Sequence, residues 1–205
     1  MKRIVENYLT DAIATFRNYK LMAERAMEQI SDDEFFTALD PEDNSIAVVV
    51  KHISGNMRSR WTDFLTSDGE KPDRNRDTEF ETLEASRELL MINWNRSWKI
   101  LFSAIEPLSA DDFEKTVTIR GESHTIVEAI NRQMTHYAYH IGQITFLAKH
   151  FRSGEWKSLS VPKNRSAEFN EFLKARKKAG NEKTHPLAAP MEFALESKGK
   201  TGEKL

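Results

Sequence analysis

There is no cysteine anywhere in the chain. That excludes a disulfide framework, a thiolate metal site and a cysteine nucleophile, so any metal chemistry must rest on His, Asp and Glu. Glycine and proline are scarce, 8 and 6 among 205 residues. Such scarcity suits long helices better than a protein of strands and turns. No sign of charge dominates either, because 30 Lys and Arg stand against 32 Asp and Glu for a formal charge of -2. A global field that would draw the chain to nucleic acid is missing, and no nucleic-acid partner is expected. Long apolar runs are lacking too. The opening MKRIVENYLTDAIATF is broken by Glu6 and Asp11, so it reads neither as a signal peptide nor as a membrane helix of ~20 residues. The expectation is a cytoplasmic protein without a membrane partner. Its length fits one domain with a tail, since domains cluster near ~100–150 residues.

What is present is a helical rhythm. Leu9, Ile13, Phe16, Ala23, Met27 and Ile30 recur at steps of four and three, with Lys20 the exception, and mark one face of a first helix. Ser31 and Glu34 have the spacing of a capping box and open a short helical turn through Leu39. Ile46, Val50, Ile53, Met57, Trp61 and Phe64 form a second stripe, with Asn44 or Ser45 placed to cap it. Residues 67–81 carry turn formers and charge and read as a crossover loop. A third helix runs on Leu83, Leu90, Trp94, Leu101 and Leu108, ending around Pro107. Lys115 to Ser123 alternates around Gly121 and suits a short hairpin or extended arm. Thr125 with Glu128 makes a second capping box, and Ile130, Tyr137, Ile141, Ile144, Ala148 and Phe151 form the stripe of a fourth helix.

Four helices of comparable length, each with one apolar face, bury those faces most simply against one another. The expected fold is all-α, a four-helix bundle. Residues 166–178 add a modest amphipathic C-terminal helix and close a domain of residues 1–178. Residues 179–205, rich in Lys, Glu and Gly with Pro186 and Pro190, are expected as a loosely ordered polar tail.

The histidines carry the chemistry. His136 and His140 are four apart, so their rings lie one turn from each other on one helical face, a spacing that can hold one ion. His52 precedes core residue Ile53 just as His136 precedes Tyr137 and His140 precedes Ile141. All three therefore share one angular address beside the core stripe, and two neighbouring helices could aim them at one point. Three neutral imidazoles suit a divalent first-row metal with open positions. The plainer alternative is that each is a surface or hydrogen-bonded histidine, as His124, His150 and His185 are read to be. A zinc protease motif is excluded because Tyr137, not Glu, follows His136. A di-iron carboxylate bundle is disfavoured because Gln133 and Tyr137 stand where it needs Glu. Asn56 and Gln143, one turn beyond His52 and His140, are either polar groups near the open metal face or ordinary hydrogen-bonding residues of the bundle. Arg60, Asp63, Arg74, Arg76 and Asp77 either orient substrate or pair with one another.

The run from Lys51 and His52 through Asn56, Arg60-Trp61, Asp63-Phe64 and Asp68-Gly69-Glu70, with His136-Tyr-Ala-Tyr-His140-Ile-Gly-Gln143 far downstream, resembles the DinB/YfiT-like metalloenzyme superfamily. More narrowly it is similar to a bacterial branch known as a domain of unknown function. The likeness runs from about residue 2 to about residue 175 and includes Trp156 to Pro162. It implies a four-helix bundle, often a homodimer, with one metal on His52, His136 and His140. Zinc or nickel is favoured over iron or manganese. It further implies a metal-dependent S-transferase using a low-molecular-weight thiol and an electrophilic substrate, or a hydrolase activating water. A non-catalytic, metal-binding, dimeric stress-related or interaction protein is the alternative.

Overall fold

Every long helix after the first starts at a hydroxyl side chain. The Ser45, Ser86 and Thr125 oxygens accept from the amides of Val48, Leu89 and Glu128, each satisfying a backbone donor that the first turn leaves without a partner. Thr125 and Glu128, like Ser31 and Glu34, close both halves of a capping box. The computed structural model describes residues 2–81, 85–180 and 188–196. Its helices are α1 (Lys2–Met27), α2 (Asp32–Phe36), α3 (Ile46–Trp61), α4 (Arg87–Ile105), α5 (Ile126–Arg152), α6 (Ser166–Lys178) and α7 (Ala188–Glu196). One hairpin, β1 (Thr116–Ile119) with β2 (Glu122–Thr125), precedes α5. The protein is all-α, as the periodicity predicts. No described helix is long and apolar enough to cross a membrane.

The four long helices touch in a ring: α1 packs on α5, α5 on α3, α3 on α4, and α4 back on α1. An aromatic cluster sits where they meet. Phe16 of α1 lies 6.1 Å from Trp61 of α3 and 5.9 Å from Tyr137 of α5, and Trp98 of α4 lies 6.1 Å from the same tyrosine. All four side chains are buried. Burying such a ring contributes ~1.5–3 kcal/mol, and a well-placed aromatic pair adds ~0.5–1.5 kcal/mol. The cluster therefore fixes the rotation of α3 and α5 about their axes, and with it the direction of every side chain next to Tyr137.

Three details depart from the sequence reading. The α3 helix stops at Trp61 rather than continuing to Phe64, because Asp63 takes a left-handed backbone (φ 49) and turns the chain out. The α4 helix starts at Arg87, capped by Ser86; Leu83 lies outside the described residues. Part of the expected loose tail is helical: α7 contacts α6, and Phe193 packs on Phe169 and Phe172 at 5.4 and 5.5 Å. Residues 181–187 and 197–205 lie outside the described residues, as does His185.

The segment 67–81, expected as a plain crossover, is stitched to the hairpin. Arg120 and Gly121 both have positive φ (56 and 76), the geometry of a two-residue primed turn. Their amides donate to the Asp68 carboxylate at 2.8 Å, and the Gly69 amide donates to the Thr118 carbonyl at 2.8 Å. Its far end is a one-turn 3-10 helix, Asp77–Phe80, in which Glu79 is buried at 6 % exposure.

Candidate metal centre

Since α3 and α5 are held by the aromatic cluster, the diagonal beside the core stripe on each helix faces the other. The structure brings His52, His136 and His140 together, with one ring nitrogen of each within 4.8 Å of the others. His136 Nε2 lies 3.3 Å from His52 Nε2 and 3.1 Å from His140 Nε2. Two nitrogens each ~2.0–2.1 Å from a tetrahedral ion are about 3.3–3.4 Å apart, so these separations suit one shared cation. His52 and His140 are buried, and His136 is partly exposed.

The partners of the remaining ring nitrogens decide the protonation pattern. His52 Nδ1 lies 2.7 Å from Glu79 Oε2. Burial pushes the Glu79 carboxyl up, but hydrogen bonds from His52 and Arg74 and the Arg74 charge outweigh it and hold the group below the usual carboxylate range. An ionised carboxylate only accepts, so His52 Nδ1 carries the hydrogen and Nε2 presents a lone pair. His140 Nδ1 donates to Gln143 Oε1 at 2.7 Å, an orientation set by the Gln143 amide donating to the Tyr139 hydroxyl at 3.2 Å. The His140 Nε2 is thereby also a lone pair. Burial, then the neighbouring imidazoles His140 and His52, push His136 down to about 3, and burial lowers His140 as well. Three ring nitrogens thus converge on one point, His136 Nε2 lying between those of His52 and His140. The donor set fits a divalent cation.

Behind His52 stands a rigid support. Arg74 grips Glu79 through two bonds, Nε to Oε1 and Nη2 to Oε2, both 2.9 Å, with the arginine side chain 4 % exposed. A Cβ on Gly55 would lie 2.3 Å from Glu79 Oε1, so only glycine lets the carboxylate press against α3. Phe80 closes over the His52 ring at 4.6 Å between centroids. A carboxylate bonded to the second nitrogen of a metal-binding histidine is the usual way such a ring is oriented.

The other candidates are placed as follows. Gln143, partly exposed, holds His140 through its Nδ1. Asn56 is spent on the core: its Oδ1 accepts from the Tyr137 hydroxyl at 3.0 Å, and that hydroxyl accepts from Trp61 Nε1 at 3.0 Å. Arg60 donates to Glu70 at 2.8 Å and to the Gly69 carbonyl, Arg76 stacks over Phe80, Asp63 makes the turn after α3, and exposed Asp77 starts the 3-10 turn. His124 and His150 lie away from the cluster, as expected. Glu79 escaped the sequence reading. One faint signal was available: Gly55, in the middle of an apolar helix where it costs ~1 kcal/mol against alanine, marks a close approach.

A family model described as "Protein of unknown function (DUF1572)" matches residues 3–165. The chain belongs to this family. The match takes in α1 through α5, and so every residue of the DUF1572 centre described above. Comparison with curated proteins and with solved structures found no match to this DUF1572 chain.

Proposed function

We propose that this chain is a metal-dependent enzyme in which His52, His136 and His140 hold one divalent cation, zinc or nickel in preference to iron or manganese. The observation that carries the proposal is the convergence of the three ring nitrogens, with the second nitrogens of His52 and His140 held by Glu79 and Gln143. A dication on three neutral ligands keeps its full charge and supplies, when bound, a nucleophile at neutral pH from a coordinated thiol or water. We read the reaction as S-transfer: the sulfur of a small thiol, its S–H proton given up to solvent, bonds to a carbon of an electrophile while the carbon–halogen bond breaks and halide leaves, or while an epoxide C–O bond opens and its oxygen takes a proton. No protein cysteine is needed, because the thiol arrives as a cosubstrate.

The chain's own residues define what such a centre can do. Glu79 and Arg74 hold His52 in one rotamer and tautomer, and Gln143 does the same for His140. Phe80 covers one side of His52 with an apolar ring, which limits water there. The partly exposed His136 marks the side from which a small molecule approaches. We place the chain in the DinB/YfiT-like superfamily, as a four-helix bundle that pairs into a homodimer. Support for this comes from the ring of helix contacts and from ligands on α3 and α5 at the superfamily's spacing. Exposed Tyr139, against His140, and exposed Phe146, two turns further along the same face of α5, are apolar groups that a second copy would cover.

Elemental analysis of the purified protein joined to a panel of bacterial thiols tests this. The expected result is about one metal per chain, lost in His136→Ala, and conjugation of a halo-nitroaromatic or epoxide that chelation abolishes. Full metal retention in His136→Ala overturns the ligand set. A metal-loaded protein inert across the panel leaves the alternative, in which the ion only ties α3 to α5.

A further inference from the structure

On another side of α3, away from the imidazoles, a cleft of about 1000 Å³ opens between α3 and α4 and is closed at one end by the chain leaving Trp61. Ligand sites for small molecules run to ~300–1,000 Å³, so this one is large. None of the three histidines lines it. Its charge is lopsided. Arg58, Lys71, Arg74, Arg96 and Lys99 face Asp63 and Asp73, five positive groups to two negative, in a chain whose total is -2.

Two of the five are already engaged: Arg74 by Glu79 and Glu70, and Lys71 by the Ser67 hydroxyl and the Asp68 carbonyl. Arg58, Arg96 and Lys99 are exposed and make no ion pair among the described residues. Arg96 and Lys99 are three apart on α4 and so share its face, with Arg58 opposite them on α3. The lining also has an apolar part. Trp61 and Phe64 are buried, and Ile100 is half-buried beside them. The cleft therefore joins an inner apolar surface to three free cations at its mouth, and like charges gathered around one opening repel until an anion joins them.

We propose that this cleft binds a small amphipathic organic anion. The acid group is taken by Arg58, Arg96 and Lys99, since planar guanidinium forks match a carboxylate in two parallel bonds. The apolar body lies on Leu65, Ile100 and Ala104, with buried Trp61 and Phe64 beneath them. A bare inorganic anion would leave the apolar surface uncovered, and an uncharged amphiphile would leave the three cations unneutralised. The site is distinct from the metal centre: none of the three histidines lines it, and the residues of its wall that stand against Glu79 are Gly55 and Arg74.

Calorimetric titration of the full-length, metal-loaded protein tests the proposal with octanoate, 4-phenylbutyrate, octanol and inorganic phosphate. At least one of the two carboxylates is expected to bind saturably, and octanol and phosphate at least tenfold more weakly. The double variant Arg96→Glu, Lys99→Glu is expected to weaken carboxylate binding at least tenfold. Ser103→Trp, whose side chain also lines the cleft, is expected to block it by bulk. Ser103, Arg96 and Lys99 are all exposed, so unchanged far-ultraviolet circular dichroism should certify both folds. His136→Ala is expected to bind the carboxylate as the parent does, which separates this site from the metal centre. Absence of saturable binding by either carboxylate, equal binding of octanol or phosphate, parent-like binding in both cleft variants, or loss of binding in His136→Ala would each overturn the proposal.

Discussion

Glu79 Oε2 accepts a 2.7 Å hydrogen bond from His52 Nδ1, although the two residues are 27 positions apart. The bond joins the segment after α3 to the histidine cluster and sets which nitrogen of His52 is free to face a cation.

Glu79→Gln keeps the shape of the side chain and removes its charge. Metal affinity is expected to fall ~10–100-fold, the usual effect of losing such a partner. Competition against a chromophoric chelator measures it. An unchanged affinity would show that His52 needs no carboxylate to hold its tautomer.

Gly55→Ala should run against helix propensity. Alanine in place of glycine inside a helix ordinarily stabilises by ~0.5–1 kcal/mol. Here the new Cβ meets Glu79 Oε1 at 2.3 Å and Cδ at 2.9 Å, so the carboxylate has to leave both His52 and Arg74. A lower melting temperature together with weaker metal binding is expected, and a stabilised variant would contradict the packing described.

Tyr137→Phe removes the hydroxyl that links Trp61 Nε1 to Asn56 Oδ1. Two buried polar groups are left without that partner, at ~1–3 kcal/mol for each group that stays unsatisfied. Urea unfolding should show the loss while metal content stays at the parent level, because no ligand to the ion has changed.

Acid should weaken the metal-free fold. The folded pKa of His136 is pushed down to about 3, below the ~6.5 of a free imidazole. Between those values the unfolded chain binds a proton that the folded chain refuses, so stability falls as pH drops from about 6.5 towards 3. Glu79 acts in the same direction. Its folded pKa is depressed, so its contribution is present above the unfolded carboxylate value and is lost as pH falls through the folded one. Chelated protein unfolded in urea at about pH 7.5 and about pH 5 should show the lower midpoint in acid, with a smaller difference in His136→Ala.

Much of this architecture was readable beforehand. Helix starts were legible at Ser31 and Thr125, because a capping box is a local device completed within four residues. The two helices that carry the histidine cluster were legible as stripes, and the shared position of His52, His136 and His140 beside those stripes followed from helical geometry. Glu79 was not, since Glu70, Glu79 and Glu81 look alike in a polar stretch and only the path of the chain distinguishes them. The choice for Asn56 between the metal face and a hydrogen bond within the bundle was open in the sequence, because an angular address does not say how far a short side chain reaches; Tyr137 bonds its Oδ1.

By itself the order of residues determined the helices, where most of them begin, and which way each imidazole points from its own axis, because those properties depend on neighbours within one or two turns. Tertiary structure decided the rest: that Phe16, Trp61, Trp98 and Tyr137 lock α3 against α5, that Arg74 and Glu79 stand behind His52, and that a basic cleft opens on another side of the same helix. These depend on packing between segments distant in the chain, where burial and charge are settled by what folds alongside.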